Sequence, residues 1–280
     1  MRRSVRFAGR EIAARYLFAL AITVLAAAAG CGELAKVNMV STEEELQLGK
    51  QFSQEIEGKE IKLWDDPEVA AYIDSLGQLL ARNSDRNDIP YIIKVVDTDE
   101  VNAFAIPGGY LYVNRGLIVT AENESELAGV MGHEIGHIVG RHSAKQMTRQ
   151  YGLGMIAGIA LGNNPNQLAA MAADLAGNGT LLKYGRDAEL EADSYGIDET
   201  YRSGIDPSGM ATFFEKLLAL QGGAQPSWLD NLFSTHPPTQ ERIDKSRAKV
   251  ASLPPKANLA KDSPRFHEIQ KKLPAIKKEQ

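Results

Sequence analysis

The chain has one cysteine, two tryptophans and five histidines in 280 residues, and each scarcity narrows what it can be. A single thiol has no internal partner, so no disulfide frames this fold and a packed core must hold it. With 44% hydrophobic and 24% charged residues, the chain is long enough to bury such a core as one large domain or two small ones. Long apolar runs are also scarce. YLFALAITVLAAAAG, at 16–30, falls short of the roughly 20 residues that cross a bilayer comfortably.

That run follows Arg2, Arg3, Arg6, Arg10 and Arg15 and ends in small residues before Cys31, the pattern of a bacterial secretory signal over residues 1–30. AAGC resembles the lipobox of bacterial lipoproteins, with Ala28 where Leu is usual. The resemblance implies lipidation of Cys31, a membrane anchor made of lipid, and a place on the periplasmic side of the cell envelope. Gly32 in the next position points to the outer membrane by analogy with lipoprotein sorting. Without residues 1–30 the chain keeps 26 basic and 35 acidic residues, a net charge of −9. An acidic surface argues against nucleic acid as a partner.

Beyond the leader, STEEELQLGKQFSQEIE opens with a Ser41 or Thr42 cap and acids in the first turn, which starts a helix. DDPEVAAYIDSLGQLLA predicts a second, with an Asp cap, Pro67 in the first turn and helical apolar spacing. The period then changes. YIIKVVD and NAFAIPGGYLYVNRGLI predict a small sheet with a hairpin turning at Pro107, Gly108 and Gly109. The hairpin is either plain core or an edge that pairs with an extended polypeptide. Residues 151–177 read as buried helical packing or as a cover over a cleft, and 253–280 as a linker and short closing helix after a domain at 31–252.

ENESELAGVMGHEIGHIVGRHSAKQ is helical in its apolar spacing and holds three of the five histidines. At about 100° per residue, His133 and His137 lie some 40° apart on one face, with Glu134 beside them. Two imidazoles one turn apart can grip one cation, and the neighbouring carboxylate reaches a water beside it. His142 falls on another side and is no ligand unless the helix breaks. The metzincin pattern, HExxHxxGxxH, has its third His where Ser143 stands here, so that reading is rejected. YGRDAELEADSYGIDETYRSG predicts a further helix with Glu189 and Asp193 one turn apart and Glu191 opposite. Glu189 is the natural third ligand and Asp193 is placed to accept a ring N–H of a ligating histidine. Gly132, Gly136 and Gly140 form a stripe beside the histidines, against which a second helix can pack closely.

HEIGH, ELEAD and STHPPTQER, in this order, resemble the CAAX-prenyl-protease and HtpX-like zinc metallopeptidases, which are gluzincins that include exported bacterial lipoproteins. The resemblance runs from about Glu44 to Ile243. It implies a mainly helical α+β zincin-like domain with a small β-sheet and hairpin beside the HExxH helix. It also implies one Zn2+ per chain held by His133, His137 and Glu189, with Glu134 as the catalytic base. His236 and Arg242 match the later His-Pro motif, whose His and Arg lie near the reacting carbonyl. The implied activity is zinc-dependent endopeptidase cleavage of misfolded or unassembled envelope proteins. The alternative is a lipoprotein chaperone or assembly factor whose zinc is structural.

Overall fold

The computed structural model describes residues 40–177, 179–221 and 234–276; the leader and Cys31 lie outside them. Three short strands, β1 (Ile92–Val96), β2 (Ala103–Ile106) and β3 (Tyr110–Asn114), form a sheet in the order β1-β3-β2. β1 runs parallel to β3, and β2 pairs with β3 antiparallel, Ala103 opposite Val113. The hairpin between β2 and β3 turns on Gly108 and Gly109, both at left-handed φ (81° and 87°), where a side chain is costly.

Side chains alternate across a strand, and here the alternation divides the core in two. Ala103, Ala105, Leu111 and Val113 face one cluster, while Phe104, Ile106 and Tyr112 face the other. The second cluster is closed by α1 (Thr42–Lys59), through Leu48, Phe52 and Ile56. Ser41 starts α1 with a complete capping box to Glu44. The first cluster is closed by α2 (Pro67–Arg82), whose Asp66 cap accepts two backbone N–H groups, and by later helices.

After β3 the chain departs from the strand expected through Arg115 to Ile118. It forms α3 (Arg115–Thr120) instead. Gly116 lies against the backbone of Asp99, so close that a Cβ would sit 2.1 Å from the Asp99 carbonyl oxygen. Tertiary contact overrides β-propensity there. Next come α4 (Glu124–Val139), α5 (His142–Tyr151), α6 (Leu153–Ala160), α7 (Pro165–Ala176) and a 3-10 turn at Thr180–Leu182. α6 and α7 send Ile156, Ile159, Met171 and Leu175 into the second cluster, so 151–177 contributes to the core. Among the described residues no helix is long and apolar enough to cross a membrane.

The remaining helices are α8 (Arg186–Arg202), α9 (Gly209–Gln221), α10 (Gln240–Ser252) and α11 (Pro264–Gln270). α9 begins three residues after Asp206, whose side chain accepts the Ser208 N–H in the preceding turn. α11 is more than a solvated tail: Phe266 and Ile269 are fully buried, and Gln270 donates to the carbonyls of Ile118 and Ala121.

One carboxyl sits badly in this core. Glu199 on α8 is 1% exposed, and neither of its oxygens has a hydrogen-bond partner among the described residues. Burial, reinforced by the nearby Asp85 charge, raises its pKa well above 4.5. A raised carboxyl favours folding below the unfolded-state pKa, and that contribution is lost as pH rises toward the folded-state pKa. Glu199→Gln should therefore raise the Tm by a margin that grows as pH rises above 4.5. A margin that is constant across that range would contradict the assignment.

Candidate metal centre

α4 is buried along almost its whole length, which an exposed amphipathic helix never is. Asn123 caps it by accepting the Glu126 N–H. The Glu126 carboxylate reaches back to the Glu122 N–H, one residue short of a full capping box, and binds the Lys216 ammonium at 2.7 Å. Three turns on, α4 meets α8 with almost nothing between the backbones. A Cβ on Gly136 would lie 2.5 Å from the Ala192 carbonyl oxygen, and one on Gly196 would lie 2.7 Å from the Gly132 carbonyl carbon. Glu189 stands one turn before Ala192 on α8. The close crossing carries its carboxylate to 3.5 Å from His133 Nε2 and 3.4 Å from His137 Nε2.

Pro237 holds the preceding residue out of the helical region, and His236 enters the cluster from that loop. Its Nδ1 lies 3.3 Å from His133 Nε2 and 3.1 Å from Glu189 Oε1. One ligand atom from each of His133, His137, Glu189 and His236 lies within 4.8 Å of all the others, and all four residues are buried. Glu134 adjoins them, with Oε2 accepting the Ala105 N–H of β2 at 3.1 Å and Oε1 3.7 Å from His236 Nε2.

Hydrogen-bond partners fix the histidine tautomers. Asp193 Oδ1 lies 2.8 Å from His133 Nδ1, and a carboxylate only accepts, so His133 carries its proton on Nδ1. His142 Nε2 faces Glu191 Oε2 at 3.3 Å, which leaves His142 Nδ1 free to accept from His137 Nδ1 at 2.8 Å. The inward Nε2 atoms of His133 and His137 are therefore bare lone pairs, 3.0 Å apart. Burial also drives the His137 pKa well below 6.5, which keeps its ring neutral. Burial alone would raise the Glu189 carboxyl, but the neighbouring His236 outweighs it and keeps Glu189 ionised. Two lone pairs facing a carboxylate repel one another unless a cation lies among them. The donor set, imidazole nitrogens with one carboxylate, fits a divalent transition ion.

The sequence model of Peptidase family M48 matches residues 67–250, which include every side chain of this cluster. The chain belongs to peptidase family M48. It is 33% identical over 226 residues to the beta-barrel assembly-enhancing protease of Escherichia coli (strain K12), covering 77% of this chain and 46% of that protein. Metalloprotease YcaL of the same organism is 33% identical over 197 residues, 66% of this chain and 74% of YcaL. Metalloprotease LoiP is 31% identical over 218 residues, 73% of this chain and 80% of LoiP. The chain thus spans about half the length of the beta-barrel assembly-enhancing protease it matches.

In this M48 chain Arg242, expected near the reacting carbonyl, is committed to the carboxylates of the cluster. Its Nε and Nη2 donate to Asp193 at 2.8 and 2.7 Å, and its Nη1 meets Glu189 at 2.9 Å and the Pro237 carbonyl at 3.2 Å. A guanidinium so committed has its fork filled by the carboxylates behind the ligands. It positions Asp193, Glu189 and the His236 loop.

The sequence reading set His142 aside as a ligand unless the helix breaks, and gave it no other role. The helix does break after Gly140, because Arg141 takes a left-handed φ of 54°, a cost of about 1–2 kcal/mol for a residue with a Cβ. Arg141 is held there by Glu45 at 2.6 Å, and Glu45 is clamped by both terminal nitrogens of Arg86. The turn swings the His142 ring against the outer nitrogen of His137 and away from the ligand position. Gly140 does not belong to the packing stripe; a Cβ there would strike the His142 ring at 2.4 Å. Tyr184 stacks on His137, with centroids 4.2 Å apart, and its hydroxyl meets Ser143 Oγ at 2.8 Å. No local pattern marks Tyr184 in the sequence.

Glu189→Ala should strip the metal at modest chelator concentration. His142→Ala should weaken metal affinity about 10- to 100-fold, as loss of a partner behind a ligand does. A competition titration in which His142→Ala binds zinc as tightly as the parent would overturn the tautomer chain.

Proposed function

We propose that this M48 chain is a zinc endopeptidase of the bacterial cell envelope that cleaves misfolded or unassembled polypeptides. The observation that carries the reading is the buried Glu134 carboxylate standing beside a cluster of two lone-pair imidazoles and Glu189. Zinc, when bound by His133, His137 and Glu189, supplies the Lewis acidity that polarises a carbonyl and brings the pKa of water toward ~7. Glu134 takes the proton of the attacking water and delivers it to the leaving amine. Burial raises the Glu134 carboxyl above the usual range, against the opposing charges of His236 and His133 and the Ala105 N–H. A base with a raised pKa both accepts and returns a proton near neutral pH.

Asp193 holds the proton of His133 on Nδ1, and Arg242 holds Asp193. His236 has two compatible places: against the ligands at rest, and donating to the developing oxyanion when it swings toward the substrate. On β2, Ala105 turns its N–H to Glu134 and its carbonyl to Ser143 Oγ, so this edge lies beside the base. An extended polypeptide laid along the edge presents its own backbone there. This favours unfolded over folded substrates. The name of the beta-barrel assembly-enhancing protease supports an envelope protease role, and those of YcaL and LoiP support a metalloprotease. The leader and Cys31 support a lipid anchor, on the periplasmic face of the outer membrane.

The four-residue cluster also favours a second reading, in which His236 closes a structural zinc site in a chaperone or assembly factor. Glu134→Gln separates the two. The variant should keep one zinc per chain and lose casein hydrolysis by about 10²-fold or more, while chelator abolishes hydrolysis by the parent. Full hydrolysis by Glu134→Gln would contradict the mechanism, and no hydrolysis by the zinc-loaded parent would favour the second reading.

A further inference from the structure

The turn that closes α4 is bound by two parts of the chain that contribute no atom to the metal cluster. Glu45, in the first turn of α1, is 1% exposed, and its carboxylate stands between two guanidiniums. Arg86, in the link from α2 to β1, donates to it from Nη1 and Nη2, both at 2.9 Å, and Arg141 donates from Nε at 2.6 Å. Each arginine makes a further bond. Arg86 Nη1 donates to the Ile138 carbonyl in the last turn of α4 at 2.9 Å, and Arg141 Nη2 to the Val40 carbonyl just ahead of α1 at 2.6 Å. The Ile138 carbonyl also accepts the Arg141 N–H at 3.1 Å. The end of α4 is thus gripped from outside.

A helix that ends in a left-handed residue ordinarily has glycine there. This chain has a glycine next door and does not use it so: Gly140 keeps a φ of −70°, and the left-handed position falls to Arg141 at 54°. Both choices concern His142. Gly140 has no room for a side chain, because the His142 ring lies 2.4 Å from where a Cβ would be. The left-handed step at Arg141 brings the same ring to His137 Nδ1 at 2.8 Å, with its far nitrogen 3.3 Å from Glu191. Glycine at position 141 would take this step without strain. Arginine takes it only where its surroundings over-determine the backbone, and the group that holds its side chain is Glu45.

We propose that Glu45 is a positioning residue of the metal centre: clamped by Arg86, it holds Arg141 left-handed and thereby keeps His142 behind His137, so that zinc affinity depends on α1. The proposal rests on the reading of His133, His137 and Glu189 as zinc ligands and extends it to a side chain outside the cluster.

The readout is the zinc affinity of the full chain by chelator competition, with the helical circular dichroism signal as a check on folding. Glu45→Gln keeps the size of the side chain and removes its charge; it should weaken zinc binding about tenfold, the lower end of what losing a partner behind a ligand does. Arg141→Ala should do the same, since alanine also resists a positive φ. Arg141→Gly should stay within about threefold of the parent, because glycine takes the turn unaided. The deciding variant combines Glu45→Gln with Arg141→Gly and should also bind zinc within about threefold of the parent. A residue that served stability alone would not be rescued by removing its own partner. Zinc binding by Glu45→Gln equal to that of the parent, or by the double variant as weak as that of Glu45→Gln, would overturn the proposal. If Glu45→Gln does not fold, Arg141→Ala and Arg141→Gly carry the test, and equal zinc affinity in these two would overturn it. A parent that binds no zinc would remove the metal centre itself and the proposal with it.

Discussion

The contact of α4 with α8 is the constraint on which the rest of the centre depends. Gly132 and Gly136 meet Gly196 and Ala192 with no side chain thicker than a methyl between the backbones. Glycine inside a helix costs about 1 kcal/mol relative to alanine, so α4 is weakened where it carries its chemistry. Tertiary burial offsets this, since α4 is enclosed by the sheet, α2, α8 and α9. The close crossing is what lets a carboxylate as short as Glu189 reach two histidines on another helix.

Electrostatics follow from that geometry. Each charge near the cluster has a named opposite: Asp193 and Glu189 are held by Arg242, and Glu126 by Lys216. Unpaired charges in such a place are costly. Glu134 is the exception. Its Oε2 takes only a backbone N–H, its pKa is raised by burial, and it stands beside the ligands without belonging to them. A carboxylate left so lightly held, next to others so firmly held, is the asymmetry that a proton carrier requires.

Periodicity made much of this legible in advance. The spacing of His133 and His137, the position of Glu189 relative to Asp193, and the use of Gly132 and Gly136 as a packing face all follow from the helical repeat. The Asp66 cap was equally plain, because capping is local chemistry. Arg115 to Ile118 was not, since the residues favour a strand and only the backbone of Asp99 makes a helix there. The contact of His142 with the outer nitrogen of His137 was hidden because it depends on a left-handed Arg141, held by Glu45 from a distant helix. Arg242 was legible as part of the later motif, but its ion pairs with Asp193 and Glu189 were not. A helical wheel gives the face of a residue and is silent on what packs against it.

The most direct test of the helix contact is the zinc affinity of Gly136→Ala, measured by chelator competition beside the parent, with the helical circular dichroism signal as a check on folding. Alanine raises local helix propensity, so a weaker helix cannot explain a loss. The added methyl, however, would press on the Ala192 carbonyl and push Glu189 away from the histidines. The account predicts an unchanged helical signal and zinc binding weakened by about tenfold or more. Zinc binding equal to that of the parent would contradict the claim that the α4–α8 contact builds the site.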